Sequence, residues 1–116
     1  MSAEDNVRGA LQREFGQPFE ARKLQVGFRL SGDPAYKRFD AVSQDGGIIA
    51  MVKNYSARNV EGNQTRHARV VRDLYYLSLA EAKSKFLYLS TDFYDWFTEQ
   101  RDAAIAPAIE LRIIPG

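Results

Sequence analysis

The 116-residue chain has no cysteine, a single histidine, a single tryptophan and no long apolar run. Without cysteine there is no disulfide and no thiolate metal site. No stretch approaches the roughly 18 consecutive apolar residues of a membrane span. The opening MSAEDNVRGALQREF is acidic then amphipathic, without the apolar core of a secretory signal. These absences predict a cytoplasmic protein that does not enter membranes. No internal repeat, linker or long polar tract divides the sequence, and the length suits a single domain over 1–116. Zinc-finger, RNP-like and glycine-rich phosphate motifs are also missing, and the Gly-Gly pair at 46–47 belongs to a turn.

What is present is an ordinary globular composition, 45% hydrophobic and 27% charged, with clear periodicity. In DNVRGALQREF (5–15), Val7, Ala10, Leu11, Glu14 and Phe15 recur at helical spacing, and Gly16 is a stop. RKLQVGFRL (22–30) alternates Leu24, Val26, Phe28 and Leu30 with polar or small residues, the period of a strand. SGDP (31–34) is a turn by composition. YKRFDAVS (36–43) and IIAMVKN (48–54) flank a second turn, QDGG (44–47), whose Asp-Gly pair is a strong hairpin signal. A polar loop (56–65) precedes the helical stretch RHARVVRDLYYLSLAEAK (66–83). Val70, Val71, Leu74, Leu77 and Ser78 mark one side of that helix, with Arg69 and Arg72 opposite. KFLYLS (85–90) reads as a buried strand, Asp92 opens a helix with Phe93, Trp96 and Phe97 as its stripe, and AIELRII (108–114) is a last strand. The predicted order is helix, three strands, helix, strand, helix, strand. A three-strand meander needs helices to cover it, so the expected fold class is a layered α/β domain (α+β, mixed sheet).

The formal net charge of +1 hides a segregation. Residues 22–72 hold ten Lys/Arg against four acids, a net of +6, while the remainder holds six against eleven, a net of −5. A basic face is the electrostatic footprint of a phosphate-backbone binder. The competing reading is that the excess scatters over several faces once the chain folds.

The residues with the most chemical content lie around the 44–47 turn. Positions 51 and 53 project from one strand face, and pairing about the turn brings Asp40 toward them. Asp40, position 51 and Lys53, with Glu14 from the first helix, form a set that resembles the PD-(D/E)xK, or restriction-endonuclease-like, nuclease superfamily. The resemblance covers residues 5–90. It rests on the eleven-residue step from Asp40 to position 51, on Lys53 two residues further, and on the order helix, three strands, helix, strand. It implies that Asp40 and Glu14 hold Mg²⁺ and that Lys53 assists the water attacking a phosphodiester. Nucleic acid, DNA foremost, is then the expected partner, with Arg38, Lys53, Arg58, Arg66 and Arg69 as its contacts; a homodimer is the other assembly considered.

Met51 departs from the pattern at its most informative position. Mg²⁺ is a hard cation that takes carboxylate oxygens, and a thioether is a soft, neutral donor. The resemblance therefore implies a nucleic-acid-binding domain with impaired catalysis, requiring Mg²⁺ only if cleavage persists, and leaves open whether the chain is an enzyme. The alternative is a non-enzymatic α/β interaction or regulatory domain. Each residue also has a plainer role: Met51 filling the core, Asp40 paired with Arg38 or Lys53, Glu14 solvated, Lys53 snorkelling at a strand edge. On the nuclease reading Glu14, Asp40, Met51 and Lys53 share one cleft, and Met51→Glu creates Mg²⁺ binding at modest cost.

Three further features complete the reading. Some superfamily members move the second acid onto the neighbouring helix, where Asp73 is available; beside Arg69 and Arg72 its ordinary role is a surface salt bridge. His67 falls on the apolar side of that helix, which predicts a partly buried, hydrogen-bonded histidine. Arg58, Asn63 and Gln64 follow Lys53 on the polar loop, within reach of phosphates.

Overall fold

A computed structural model describes residues 2–55, 60–99 and 105–116. The elements are α1 (Ala3–Phe15), β1 (Phe19–Phe28), β2 (Pro34–Ser43), β3 (Ile48–Lys53), α2 (Val60–Leu79), β4 (Ser84–Leu89), α3 (Thr91–Thr98) and β5 (Ile109–Ile113). The strands form a five-stranded sheet in the order β1-β2-β3-β4-β5. Tight turns make the first three antiparallel, whereas β3–β4 and β4–β5, joined through α2 and α3, are parallel. The fold is α/β with a mixed sheet and three helices. Among the described residues no helix is long and apolar enough to cross a membrane.

Local chemistry fixes the boundaries. Ser2 caps α1 by accepting from the Asp5 N–H while the Asp5 carboxylate accepts from the Ser2 N–H, a reciprocal capping box. Gly16 ends that helix with φ 72°, a left-handed cap that a side chain would strain. At the second turn Gly46 has φ 75°. The Asp45 carboxylate accepts from Ser43 Oγ at 2.6 Å and from the Gly47 N–H at 2.9 Å, closing the loop from inside.

The sheet separates two cores because strand side chains alternate. Ile49 and Met51 of β3 and Leu87 and Leu89 of β4 face Val70, Leu74 and Leu77 of α2 and Phe93 and Phe97 of α3. Ala50, Val52, Phe86 and Tyr88 face the other way, onto Val7 and Leu11 of α1. Each fully buried large apolar side chain contributes about 1.5–3 kcal/mol.

Four expectations shift. Alternation places Leu24, Val26, Phe28 and Leu30 on one face, yet Val26 is buried while Phe28 is 71% exposed and Leu30 fully exposed. A β-bulge re-aims Phe28, because the register slips between Gln25 and Phe28 with Gly27 at φ 78°, and Leu30 lies past the end of β1 in the turn. Helix α2 already begins at Val60, inside the stretch expected to be a polar loop, of which residues 56–59 lie outside the described ones. Helix α2 ends at Leu79, not 83. Its described buried residues are Asn63, Val70, Asp73, Leu74 and Leu77, with Val71 and Ser78 exposed.

Candidate functional site

Met51 is 2% exposed and belongs to the core between the sheet and α2. Lys53, two residues on, faces the same layer from the end of β3. Its ammonium lies 2.5 Å from Oδ2 of Asp73, whose side chain is fully buried on α2. Lys37 of β2 approaches Oδ1 of the same carboxylate at 4.0 Å, and its ammonium sits 5.2 Å from the Tyr76 ring centroid. Among the described residues neither Asp73 oxygen receives a well-directed hydrogen bond, so the two lysines carry the neutralisation. An unpaired carboxylate here would be costly, which makes the lysines obligatory counter-ions. The surface salt bridge expected of Asp73 is thus an internal one. Its helical phase, three residues after Val70 and four before Leu77, is the signal that marks it as inward.

Asp40 occupies a second bulge. Glu20 pairs with Val42 and Arg22 with Phe39, so β2 carries one extra residue at 40–41. Phe39 and Val42 pack toward α2, and Ala41 packs toward α1. The bulge sets Asp40 off the face that Lys37 and Phe39 present to α2. Its Oδ2 accepts from the Val52 N–H at 2.8 Å, where the β2–β3 ladder has already ended, and Oδ1 pairs with Arg38 at 2.9 Å. Its backbone carbonyl accepts from Arg8 of α1 at 2.7 Å. The Asp40 carboxylate therefore substitutes for a missing strand partner.

Glu14 lies in the opposite layer. Its two oxygens accept from Arg112 of β5 at 2.6 and 3.0 Å, a bidentate pair that holds the carboxyl below its ordinary range. The same guanidinium donates to Tyr88 Oη at 3.1 Å and to Glu110 at 2.5 Å, and lies 4.0 Å from the Phe86 ring centroid. Its pKa rises, chiefly through the Glu14 bond, so it stays charged; burial raises that of Tyr88. Glu14 and Lys53 do not converge, because α1 and α2 cover opposite faces of the sheet.

Placed this way, the acids do not form one cradle for Mg²⁺. Glu14 is bound to Arg112, Asp40 to Val52 and Arg38, and Met51 offers no oxygen. Among the described residues no three His, Asp or Glu side chains group as a metal site.

The basic residues divide. Lys37 and Lys53 turn inward to Asp73, and Arg22 donates to the Ser43 carbonyl at 2.9 Å. Arg66 is half-buried with its guanidinium 5.7 Å from the Tyr55 ring centroid. Lys23, Arg29, Arg38, Arg69 and Arg72 are exposed. Arg58 lies outside the described residues, and Asn63 is buried within α2, out of reach of a phosphate. His67 is half-buried between aromatic rings, 5.9 Å from Trp96 and 5.3 Å from Phe97. Comparison with protein-family models, with curated proteins and with solved structures gives no match.

Proposed function

We propose that the chain is a nucleic-acid-binding domain of restriction-endonuclease-like descent, with DNA as its first partner and with impaired catalysis. The element order through β4 and the exposed cations from the basic segment support the descent and the partner. The observation that carries the catalytic part is the placement of Lys53. Its ammonium neutralises the buried Asp73, while the neighbouring position 51 holds a buried thioether. A lysine committed to an internal carboxylate is a poor stabiliser of charge developing on a phosphodiester.

The test combines binding and cleavage. Labelled duplex and single-stranded oligonucleotides are titrated at rising salt, and supercoiled plasmid is incubated with millimolar Mg²⁺. The expected result is binding that falls steeply with salt, by counterion release, and no Mg²⁺-dependent nicking. Nicking abolished by Asp40→Ala would restore the enzyme. Failure to bind either strand form at low salt would favour an interaction domain without nucleic acid.

A further inference from the structure

The β1–β2 hairpin reaches beyond the rest of the sheet. β2 pairs with β3 at Ala41 and Val42, whereas its pairing with β1 runs on to Pro34 opposite Phe28. Past the Asp40 bulge the two strands form a ribbon. Leu24, Val26 and Ala35 close one side of it by packing into the α2-side core. The residues alternating with them, Lys23, Gln25, Tyr36 and Arg38, are all exposed, and α1 packs instead beside the base of the hairpin at Phe19 and Ala41.

This open face has an uncomfortable charge pattern. Lys23 and Arg38 are directly opposed in the ladder, and like charges so placed destabilise a strand pair. Arg38 has Asp40 as a partner; among the described residues Lys23 has no ion pair. Next in register stand Gln25 and Tyr36, the tyrosine 61% exposed, and the bulge at Gly27 turns Phe28 outward beside Arg29 and Leu30. The face therefore offers cations, a phenol and a projecting phenyl ring with no acid opposed to Lys23.

We infer that the open face of the β1–β2 ribbon, through Lys23, Tyr36 and Arg38 with Phe28 and Arg29 at its tip, is the surface that holds the nucleic acid. A polyanion supplies the counter-charge that Lys23 lacks, since of the opposed pair only Arg38 has an acid, Asp40, beside it. A two-stranded ribbon fits a duplex major groove, and exposed rings give single-stranded bases a stacking platform. This rests on the nucleic-acid reading above and moves contact away from the position-51 region to the other end of β2.

The experiment measures fluorescence anisotropy of a labelled duplex and a labelled single strand over a salt series. It compares the intact chain with Lys23→Ala/Arg29→Ala, with Phe28→Ala/Tyr36→Ala, and with Arg13→Ala on the exposed side of α1 as control. All substituted side chains are exposed, and circular dichroism checks that each variant melts like the parent. The charge variant is expected to lower the salt slope on duplex by roughly two and to weaken low-salt binding at least tenfold. The aromatic variant is expected to weaken single-strand binding roughly ten- to hundredfold, with Arg13→Ala unchanged. If the intact chain binds and the ribbon variants bind equally well, the ribbon assignment is wrong while the nucleic-acid reading stands. If the intact chain binds nothing at low salt, both are wrong. Sedimentation equilibrium adds the remaining outcome: a dimer lost in Phe28→Ser/Leu30→Ser, with nucleic acid binding unaltered, would assign the ribbon to a second copy of the chain.

Discussion

The carboxylate of Asp73 and the ammonium of Lys53 meet 2.5 Å apart between α2 and the end of β3, with the acid fully buried. The pair joins two elements through charge in a layer filled mostly by hydrocarbon. Lys53→Met leaves the carboxylate with only the more distant Lys37, and the expected loss is about 3–5 kcal/mol in urea unfolding. Lys53→Met/Asp73→Leu removes both charges and should be markedly more stable than Lys53→Met alone. If the single variant loses less than about 1 kcal/mol, the pair is solvated and unimportant, like a surface bridge.

Met51 gives the second prediction. The sequence allowed a polar cleft in which Met51→Glu is tolerated, but the residue lies in the core with Leu74 and Leu87. A carboxylate introduced there is expected to cost several kcal/mol, roughly. Met51→Leu, which conserves volume, should cost less than about 1.5 kcal/mol. Comparing the two unfolding midpoints separates polarity from packing. A Met51→Glu protein as stable as Met51→Leu, and newly binding Mg²⁺ by calorimetry, would show that the position opens to solvent.

Most of the architecture was legible in the residues. The apolar runs IIAMVKN and KFLYLS, helical spacing in 5–15 and the Asp-Gly turn identified the elements; the two runs are apolar because β3 and β4 are covered on both faces. The site was less legible because bulges carry no comparable pattern. Two extra residues, near Gly27 and at Asp40–Ala41, shift the faces of β1 and β2, so Phe28 turns outward and Asp40 leaves the face that Lys53 shares. Buried charge was hidden for another reason. Periodicity counts an aspartate as polar and assigns it to water, whereas Asp73 is held inside by lysines from strands distant in sequence.

Asp40 supplies the third prediction. Its Oδ2 is the acceptor for the Val52 N–H where the strands part, and its side chain is 14% exposed. Asp40→Ala leaves that N–H without its acceptor, for an expected loss of about 1–3 kcal/mol. Asp40→Asn keeps a carbonyl oxygen in place and should recover part of it. Amide hydrogen exchange at Val52 reads the same bond directly and should accelerate in Asp40→Ala. Unchanged protection at Val52 would mean that the amide has another acceptor.

The last prediction concerns acid. Glu14 is bound bidentately by Arg112, and this bond, more than the general field of the guanidinium, lowers the carboxyl below its ordinary 4.5. A carboxyl with a depressed folded pKa stabilises the fold at every pH above its unfolded value. The contribution fades as pH falls through the lower, folded value, where both states are protonated. Arg112 stays charged throughout, so the acid alone titrates. Asp5 and Asp45 are also depressed, by Arg8 and by Ser43, so the parent alone shows their acid sensitivity as well. The Glu14→Gln variant isolates the one pair: its urea midpoint should lie below the parent's at neutral pH, and the two should converge as pH drops below about 4.5. Added salt should shrink the neutral-pH gap, because Glu14 is partly exposed and its field is screened. Midpoints that stay parallel from neutral pH into the acid range would show that the bridge between α1 and β5 contributes nothing through charge, leaving Arg112 to act by stacking on Phe86.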